Sequence, residues 1–307
     1  MASSKGYRPL EGKLAIVTGA SRGILHKTHS SLIKAQVNPL IGIGEAIARN
    51  LASKGASLVL NYTSASSASL TTKLSESLEA EHGVKSLVIQ ADMGDPSGPS
   101  HLITSIKDNF SKISSAPFQI DILINNAGIS INQALEDVTV DAYERTYRIN
   151  VLGPLLLVKA ATPFLPHDRS GRIVNVSSVS STMGFTTQSV YGGSKAALEA
   201  MTRTWARELA ARATVNAINP GPVKTEMWDA TTAEFKAGLK PFIQATPMSA
   251  VRPDVDSEEL VKGAEVAGGR PAYTEEIAGV VGMLCTAESV WCTGQVVCAN
   301  GGMRMLM

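Results

Sequence analysis

The chain has 307 residues, 44% of them hydrophobic, and its 28 basic residues nearly balance its 27 acidic ones. This length and apolar fraction allow one large α/β domain with a sizeable core. The even charge gives no reason to expect nucleic acid or an anionic membrane as a partner. No apolar run reaches the roughly 18–20 residues that span a bilayer, and the polar first residues lack the apolar stretch of a signal peptide. We therefore expect a cytoplasmic protein with no membrane partner.

Strand-like and helix-like segments alternate along the chain. Short β-rich runs predict strands over residues 13–18, 57–62, 85–91, 120–125, 172–177, 215–219 and 295–299. Amphipathic runs between them predict helices over residues 45–54, 66–81, 99–111, 141–165, 190–211 and 275–287. Repeated strand–helix units with right-handed crossovers imply a doubly wound parallel sheet with helices on both faces. We expect a single α/β domain over residues 1–307, of which residues 227–272 are the least regular part.

A glycine-rich turn follows the first predicted strand, and an additional segment interrupts it. Residues 18–23 read Thr-Gly-Ala-Ser-Arg-Gly, and residues 43–48 read Ile-Gly-Glu-Ala-Ile-Ala. Without residues 24–42, the two parts join into a continuous glycine-rich loop that opens a helix. Glycines in such a loop allow the backbone to approach a pyrophosphate, and the helix N-terminus offers free N–H groups. In this strand–turn–helix context the pattern predicts dinucleotide binding.

The charge around the second strand bears on which dinucleotide binds. An acidic residue at this place usually holds the ribose 2′-hydroxyl of the unphosphorylated cofactor. Here the residues are uncharged: Asn61, Tyr62, Thr63 and Ser64. Arg22, inside the glycine loop, is suited in charge and geometry to a 2′-phosphate. The sequence therefore favours NADP(H), and it disfavours alcohol oxidation with the unphosphorylated cofactor.

A set of polar residues later in the chain is suited to carbonyl reduction. Tyr191 and Lys195 are four positions apart on a predicted helix and therefore share a face. The ammonium should favour the phenolate and lower the pKa of the tyrosine towards neutrality. Ser178 follows the fifth predicted strand and can hold a substrate oxygen as charge develops on it. Asn150 lies in the helix before that strand, and all four belong near the carboxyl ends of the strands, where such folds bind ligands.

Taken together, these motifs resemble the short-chain dehydrogenase/reductase family, whose fold is of the Rossmann type. The matching positions run in order across nearly the whole chain: Thr18 to Gly23 with Ile43-Gly44, Asp92, Asn125-Asn126-Ala127-Gly128, Asn150, Ser178, Tyr191-x-x-x-Lys195 and Pro220-Gly221-Pro222-Val223-x-Thr225. Within the family, the sequence is most similar to fungal ketoreductases and 3-oxoacyl-carrier-protein reductases. The resemblance implies reduction of a ketone or β-keto group of a small-molecule substrate, and a homotetramer.

The resemblance also implies individual roles. Tyr191 would donate a proton to the carbonyl, Ser178 would anchor its oxygen, Lys195 would hold the nicotinamide ribose, and Asn150 would support a water in the proton relay. The implied cofactor-binding residues are Gly19, Ser21, Arg22, Gly23, Ile43, Gly44, Asn61, Tyr62, Thr63, Ser64, Asp92, Met93, Asn125, Ala127, Gly128, Tyr191, Lys195, Pro220, Gly221, Val223 and Thr225. No metal site is expected, because the histidines of residues 24–42 have no acidic or cysteine companion and the three cysteines lack ligand spacing.

The segment 24–42 is a departure from the family pattern and has two explanations. Gly-Ile at its start repeats as Gly-Ile at residues 42–43, which suggests a short intron read through in frame; the competing hypothesis is a genuine surface loop. Sequencing the transcript separates them. Two functions also stay open: an active ketoreductase, or a folded but catalytically weak protein that acts at most as a binding or assembly partner.

We predict that residues 24–42 weaken dinucleotide binding without preventing folding. A long loop adds little closure entropy, about 0.6 kcal/mol for each doubling of its length. The phosphate-binding N–H groups, in contrast, must stay within hydrogen-bond reach. Dissociation constants for NADPH, measured on the full chain and on a variant lacking residues 24–42, should differ in favour of the shorter form. Equal constants would contradict this.

Overall fold

The computed structural model describes residues 7–20 and 42–305. Within them, one sheet of seven parallel strands has the order β3-β2-β1-β4-β5-β6-β7. The strands are β1 Leu14–Val17, β2 Ser57–Tyr62, β3 Ser86–Gln90, β4 Ile122–Asn125, β5 Gly171–Val176, β6 Ala213–Ile218 and β7 Val296–Val297. The order reverses direction between β1 and β4. The predicted α/β fold with a doubly wound parallel sheet is confirmed.

Helices cover both faces of this sheet. In chain order they are α1 Ile43–Ser53, α2 Ala68–His82, α3 Gly98–Asn109, α4 Val140–Tyr147, α5 Gly153–Ala161, α6 Ser180–Met183, α7 Ser189–Glu208, α8 Glu226–Asp229, α9 Ala233–Gln244, α10 Glu258–Ala267 and α11 Thr274–Cys285. None of the helices in the described ranges combines the length and apolarity needed to cross a bilayer.

The core consists of two apolar clusters, one on each face of the sheet. β1 contributes to both, because Ala15 and Val17 belong to the cluster with α1, α2 and α11, and Leu14 and Ile16 belong to the cluster with α3, α5 and α7. Strands buried on both faces are apolar at successive positions, as β1 is. The two faces together hold β1 and β4 in the centre of the sheet.

The helical run predicted over residues 141–165 is present, but it is not one regular α-helix. The structure has α4, then a π-helical segment Arg148–Leu152, then α5. Pro154 explains the interruption, because proline has no N–H to donate to the carbonyl of Asn150 four residues earlier. A wider turn relieves this conflict, and such π-bulges occur often at functional sites.

The segment 227–272 is more regular than predicted, since α9, α10 and most of α8 lie in it. Their beginnings are capped by hydroxyl side chains: Thr225 accepts from Trp228 N, Thr232 from Phe235 N, and Ser257 from Leu260 N. Such caps satisfy N–H groups that have no partner within the helix. The helices therefore form despite the mixed charge and the prolines that suggested an irregular segment.

β1 and α1 have the positions expected of a glycine-rich loop without an insertion, in which a strand is followed by a glycine turn and then a helix. α1 begins at Ile43, with Gly42 at its N-cap, and Ala46 N donates to Gly42 O at 3.0 Å. The predicted binding residues Ser21, Arg22 and Gly23, and all of segment 24–42 except Gly42, lie outside the described residues. Where the chain is described again, the helix is in place behind the glycine turn.

The hydroxyl of Thr18 joins the ends of the two central strands. It is 2% exposed, and its Oγ1 donates to Ile124 O at 3.1 Å. The same oxygen accepts from Asn126 N and Ala127 N, both at 3.0 Å. One side chain thus fixes the loop after β4 to the end of β1.

We predict that Thr18→Val destabilises the fold. Valine keeps the shape but leaves the two N–H groups without this acceptor, which costs about 1–3 kcal/mol of unfolding free energy. Thr18→Ser, which retains the hydroxyl, is the matched control and should lose less. Urea denaturation measures both, and equal losses for the two variants would show that the hydrogen bonds do not matter.

Candidate active site

A cavity of about 1200 Å³ opens at the carboxyl ends of the strands, around the place where the strand order reverses. Open α/β sheets bind ligands at this switch point. One end of the cavity is formed by the glycine turn and the start of α1, and the other by the loop after β5, by α7 and by the segment after β6. The cavity is therefore continuous from the predicted phosphate site to the predicted catalytic residues.

The N-terminus of α1 is open towards this cavity. Gly42, Ile43 and Gly44 line it, and the N-cap residue Gly42 has no side chain with which to cap the first N–H groups of the helix. Free N–H groups and the positive end of the helix dipole favour a phosphate group at this place. The residues present thus fit the pyrophosphate of a dinucleotide.

Two glycines make this approach possible. Gly19 has a φ of 63°, in the left-handed region, and it also lines the cavity. A Cβ on Gly44 would overlap the carbonyl oxygen of Gly19 and would lie 2.6 Å from Asn126 Nδ2. The helix can lie this close to the turn only because Gly44 carries no side chain.

The predicted cofactor residues that the structure describes either line the cavity or lie outside its lining. Those that line the cavity are Gly19, Ile43, Gly44, Thr63, Asp92, Met93, Ala127, Gly128, Tyr191, Lys195, Pro220, Gly221, Val223 and Thr225. Asn61, Tyr62, Ser64 and Asn125 are placed behind or beside it, outside its lining. The sequence placed these four residues near the correct strands. It did not show which residues line the cavity and which only support the residues that do.

The amides of Asn61 and Asn125 are used inside the protein. Asn61 is fully buried, and its Nδ2 donates to Ala91 O at 3.0 Å, beside a longer contact from Gly19 N to its Oδ1 at 3.4 Å. Asn125 Nδ2 donates to Asn175 Oδ1 at 2.7 Å. These side chains support the glycine turn and the sheet edge, so any effect they have on binding is indirect.

Ser178, Tyr191 and Lys195 are brought together at the far end of the cavity. Tyr191 and Lys195 lie on α7, with the Lys195 Nζ 5.7 Å from the centre of the tyrosine ring. Ser178, two residues after β5, lines the same cavity, and its Oγ donates to Ser180 Oγ at 3.0 Å. The Lys195 ammonium is anchored, because its Nζ donates to Val176 O at 2.8 Å.

Burial determines the protonation of both groups on α7. It raises the pKa of Tyr191, and the hydrogen bond with Ser178 only partly opposes this effect. It lowers the pKa of Lys195 to about 8, while the charge of Glu199 acts in the opposite direction. The expected lowering of the Tyr191 pKa is therefore wrong: the pKa is raised, because loss of solvent disfavours the phenolate.

Asn150 lies in the π-helical segment and is buried, outside the cavity lining. Its Oδ1 accepts from Ile129 N at 3.0 Å, and its Nδ2 donates to Ile129 O at 2.9 Å and to Ser194 Oγ at 3.0 Å. The side chain thus ties the loop after β4 to α7, next to Lys195. This arrangement makes Asn150 a support of α7.

Apolar and polar side chains share the outer part of the cavity. The apolar ones are Phe185, Met227, Trp228, Phe235 and Leu239, and the polar ones include Ser130, Asn132 and Gln188. Gln188 Nε2 lies 3.3 Å from Asn132 Oδ1. A second cavity of about 650 Å³ adjoins this part and shares Asn132, Phe185 and Phe235 with it.

Sequence reasoning quoted Asn126 in a motif without its role, and it missed Glu199. Asn126 donates from Nδ2 to Thr18 O at 2.8 Å and to Gly19 O at 3.2 Å, which fixes the glycine turn. Glu199 is a buried acid one turn after Lys195. Its signal was present, because a residue four positions after a helical catalytic lysine shares the lysine's face. In the described part of the chain, no group of three or more His, Cys, Asp or Glu side chains could hold a metal ion.

The chain belongs to the short chain dehydrogenase family, whose model matches residues 40–236. The family resemblance predicted from the motifs is confirmed. The match begins within segment 24–42, so β1 and the first half of the glycine loop lie before it. This boundary agrees with an interruption at that place.

Curated relatives and solved structures resemble the chain over nearly its whole length. It is 49% identical to an L-xylulose reductase of Aspergillus niger, with 97% of this chain and 99% of the relative covered. It is 48% identical to an L-xylo-3-hexulose reductase of Hypocrea jecorina, with 97% and 98% covered. A blue fluorescent protein from a metagenomic library, solved with NADPH, is 32% identical with a TM-score of 0.75, and 97% and 100% of the two chains are covered. A short chain dehydrogenase of Burkholderia cenocepacia, solved with NADP, is 28% identical with a TM-score of 0.74, and 96% and 99% are covered.

We predict that Gly44→Ala weakens dinucleotide binding. The new methyl group must displace the glycine turn or the start of α1, and either movement takes N–H groups away from the phosphates. A tenfold or larger rise in the dissociation constant for NADPH, about 1.4 kcal/mol, is expected. Gly279→Ala on α11 is the matched control, because its Cβ would meet open space. Fluorescence titration measures both, and equal affinities for the two variants would contradict the prediction.

Proposed function

We propose that this protein is an NADPH-dependent reductase that converts the carbonyl group of a polyhydroxylated ketone into a secondary alcohol. The observation that carries the proposal is one continuous cavity with the N-terminus of α1 at one end and Ser178, Tyr191 and Lys195 at the other. The first end suits a dinucleotide pyrophosphate, and the second suits proton transfer to a carbonyl oxygen.

The choice of NADP(H) rests on charge and on the structural neighbours. Residues 61–64 bring no acid to the end of β2, where a carboxylate would repel a 2′-phosphate. The neighbours from the metagenomic library and from Burkholderia cenocepacia were solved with NADPH and NADP. Arg22 remains the proposed partner of the 2′-phosphate.

The proposed mechanism places each proton and hydrogen bond on the chain's own residues. NADPH, when bound, supplies the hydride to the carbonyl carbon. Tyr191 donates its phenolic proton to the carbonyl oxygen, and its raised pKa keeps that proton in place until the oxygen gains charge. Ser178 holds the same oxygen by a hydrogen bond as the charge develops. Lys195, anchored by the Val176 carbonyl, places a positive charge beside the phenol and favours loss of its proton at that moment.

The polyhydroxylated substrate is proposed from the relatives and from the polar side of the cavity. Both relatives with about half of their residues identical are named as reductases of keto sugars. Ser130, Asn132 and Gln188 offer hydroxyl and amide groups near Tyr191, which suit the hydroxyls of such a chain. An acyl thioester, a β-ketoester or an aromatic ketone is the alternative, which the apolar side chains of the lining would suit.

The oligomeric state and the domain organisation are also part of this proposal. A single domain over residues 1–307 and a cytoplasmic homotetramer are expected of the family. In the described chain Trp291 is 97% exposed, close to the edge strand β7, which is consistent with a subunit contact there. Large exposed aromatic groups favour protein–protein contacts.

We predict that the full chain oxidises NADPH with L-xylulose faster than with a β-ketoester, and that Tyr191→Phe removes this activity. Loss of a general acid lowers turnover by about 10²- to 10⁴-fold. Tyr143→Phe, on the exposed part of α4, is the matched control and should retain activity. Absorbance of NADPH at saturating substrate measures all three proteins.

The result also separates the two functions left open by the sequence. Equal background rates for wild type and Tyr191→Phe, in the full chain and in a variant lacking residues 24–42, would contradict the enzyme function. Activity only in the shorter variant would identify the full chain as the catalytically weak form. A preference for the β-ketoester would overturn the substrate class alone.

A further inference from the structure

A buried carboxylate lies beside the catalytic residues without contacting the cavity. Glu199 is on α7, one helical turn after Lys195, and is 5% exposed. A buried acid is rare in proteins unless it is paired or hydrogen-bonded, because it loses its hydration.

Glu199 Oε1 accepts from two serine hydroxyls, Ser177 Oγ at 2.6 Å and Ser181 Oγ at 2.7 Å. Both distances lie in the normal range of O–H···O hydrogen bonds. Both donors come from the segment that carries Ser178: Ser177 directly precedes it, and Ser181 lies on α6 just after it. Ser181 Oγ also lies 2.8 Å from the Ser178 carbonyl oxygen.

The same carboxylate is the acidic group that acts on Lys195. The ammonium is 4% exposed and is packed between α7, the end of β5 and the loop after β4. The end of β5 presents the uncharged carbonyl of Val176, and the loop presents Gly128. On α7 itself the titratable neighbours are Tyr191 and Glu199. Without the negative charge of Glu199, nothing would oppose the lowering of the Lys195 pKa by burial.

We propose that Glu199 is a positioning residue of the reduction, which ties the Ser178 segment to α7 and keeps Lys195 charged. The inference rests on the proposed function for its catalytic meaning. The Oε1 atom of Glu199 thus links the segment of Ser178, which would hold the substrate oxygen, to α7, which carries Tyr191. The charge and the tether are separate contributions, so they can be tested by different variants.

Glu199→Gln tests the charge, because glutamine keeps the shape and an accepting oxygen. Lys195 is charged below a pKa of about 8, and loss of the Glu199 charge should lower that value. The kcat/KM for NADPH should therefore fall severalfold at pH 8, close to the wild-type pKa, and stay nearly unchanged at pH 6. Glu199→Asp, which retains the charge, should keep the midpoint near that of wild type. Glu208→Gln, exposed at the end of α7, is the matched control with an unaltered profile.

An NMR titration of isotopically labelled lysine gives the Lys195 midpoint without turnover, so the two proposals can fail separately. A lowered midpoint with no activity in any form of the chain would contradict the proposed function and support the role of Glu199. An unmoved midpoint in Glu199→Gln would overturn the charge contribution, even if the melting temperature falls.

Ser181→Ala tests the tether while the charge remains. It should lower kcat severalfold, with the midpoint and the KM for NADPH close to those of wild type. Because this serine is half-buried on a short helix, the variant also serves if Glu199→Gln does not fold. Wild-type kcat in Ser181→Ala would overturn the tether.

Discussion

The close contact between the start of α1 and the turn after β1 is the constraint on which the site depends. Gly44 lies against Gly19 with no room for a side chain, and Asn126 holds the same turn from the β4 side. Thr18 closes the arrangement by joining the ends of β1 and β4. The cavity, the open helix terminus and the distance to the catalytic helix all follow from these backbone positions.

This constraint explains how the chain can carry residues 24–42 and still complete the fold. The core clusters involve the flanks of the loop, because Ala20 and Ala46 are both buried in the same cluster. A loop that connects two fixed points adds only a slowly growing entropic cost. Folding therefore depends on the flanks, whereas phosphate binding depends on the residues next to the interruption.

Much of the fold could be predicted, because strand β2 and the helices α1 and α7 combine strong periodicity with clear ends. The π-helical segment could not, because a 3.6-residue pattern continues through Arg148–Leu152 while Pro154 acts on a backbone carbonyl. In the site, the positions of Ser178, Tyr191 and Lys195 followed from motif spacing. The inward-facing amides of Asn61 and Asn125 and the buried Glu199 depend on contacts between distant segments, which spacing along the chain does not contain.

The anchor between Lys195 and the Val176 carbonyl has a consequence for the choice of side chain. A lysine ammonium has three donors that rotate about one bond, and the strand end uses one of them. Once that hydrogen bond is made, the rotation about the Cε–Nζ bond is fixed, and so are the directions of the other two N–H groups. The strand therefore orients the ammonium. The planar guanidinium of an arginine could not bond to the same carbonyl and keep that tetrahedral arrangement of donors.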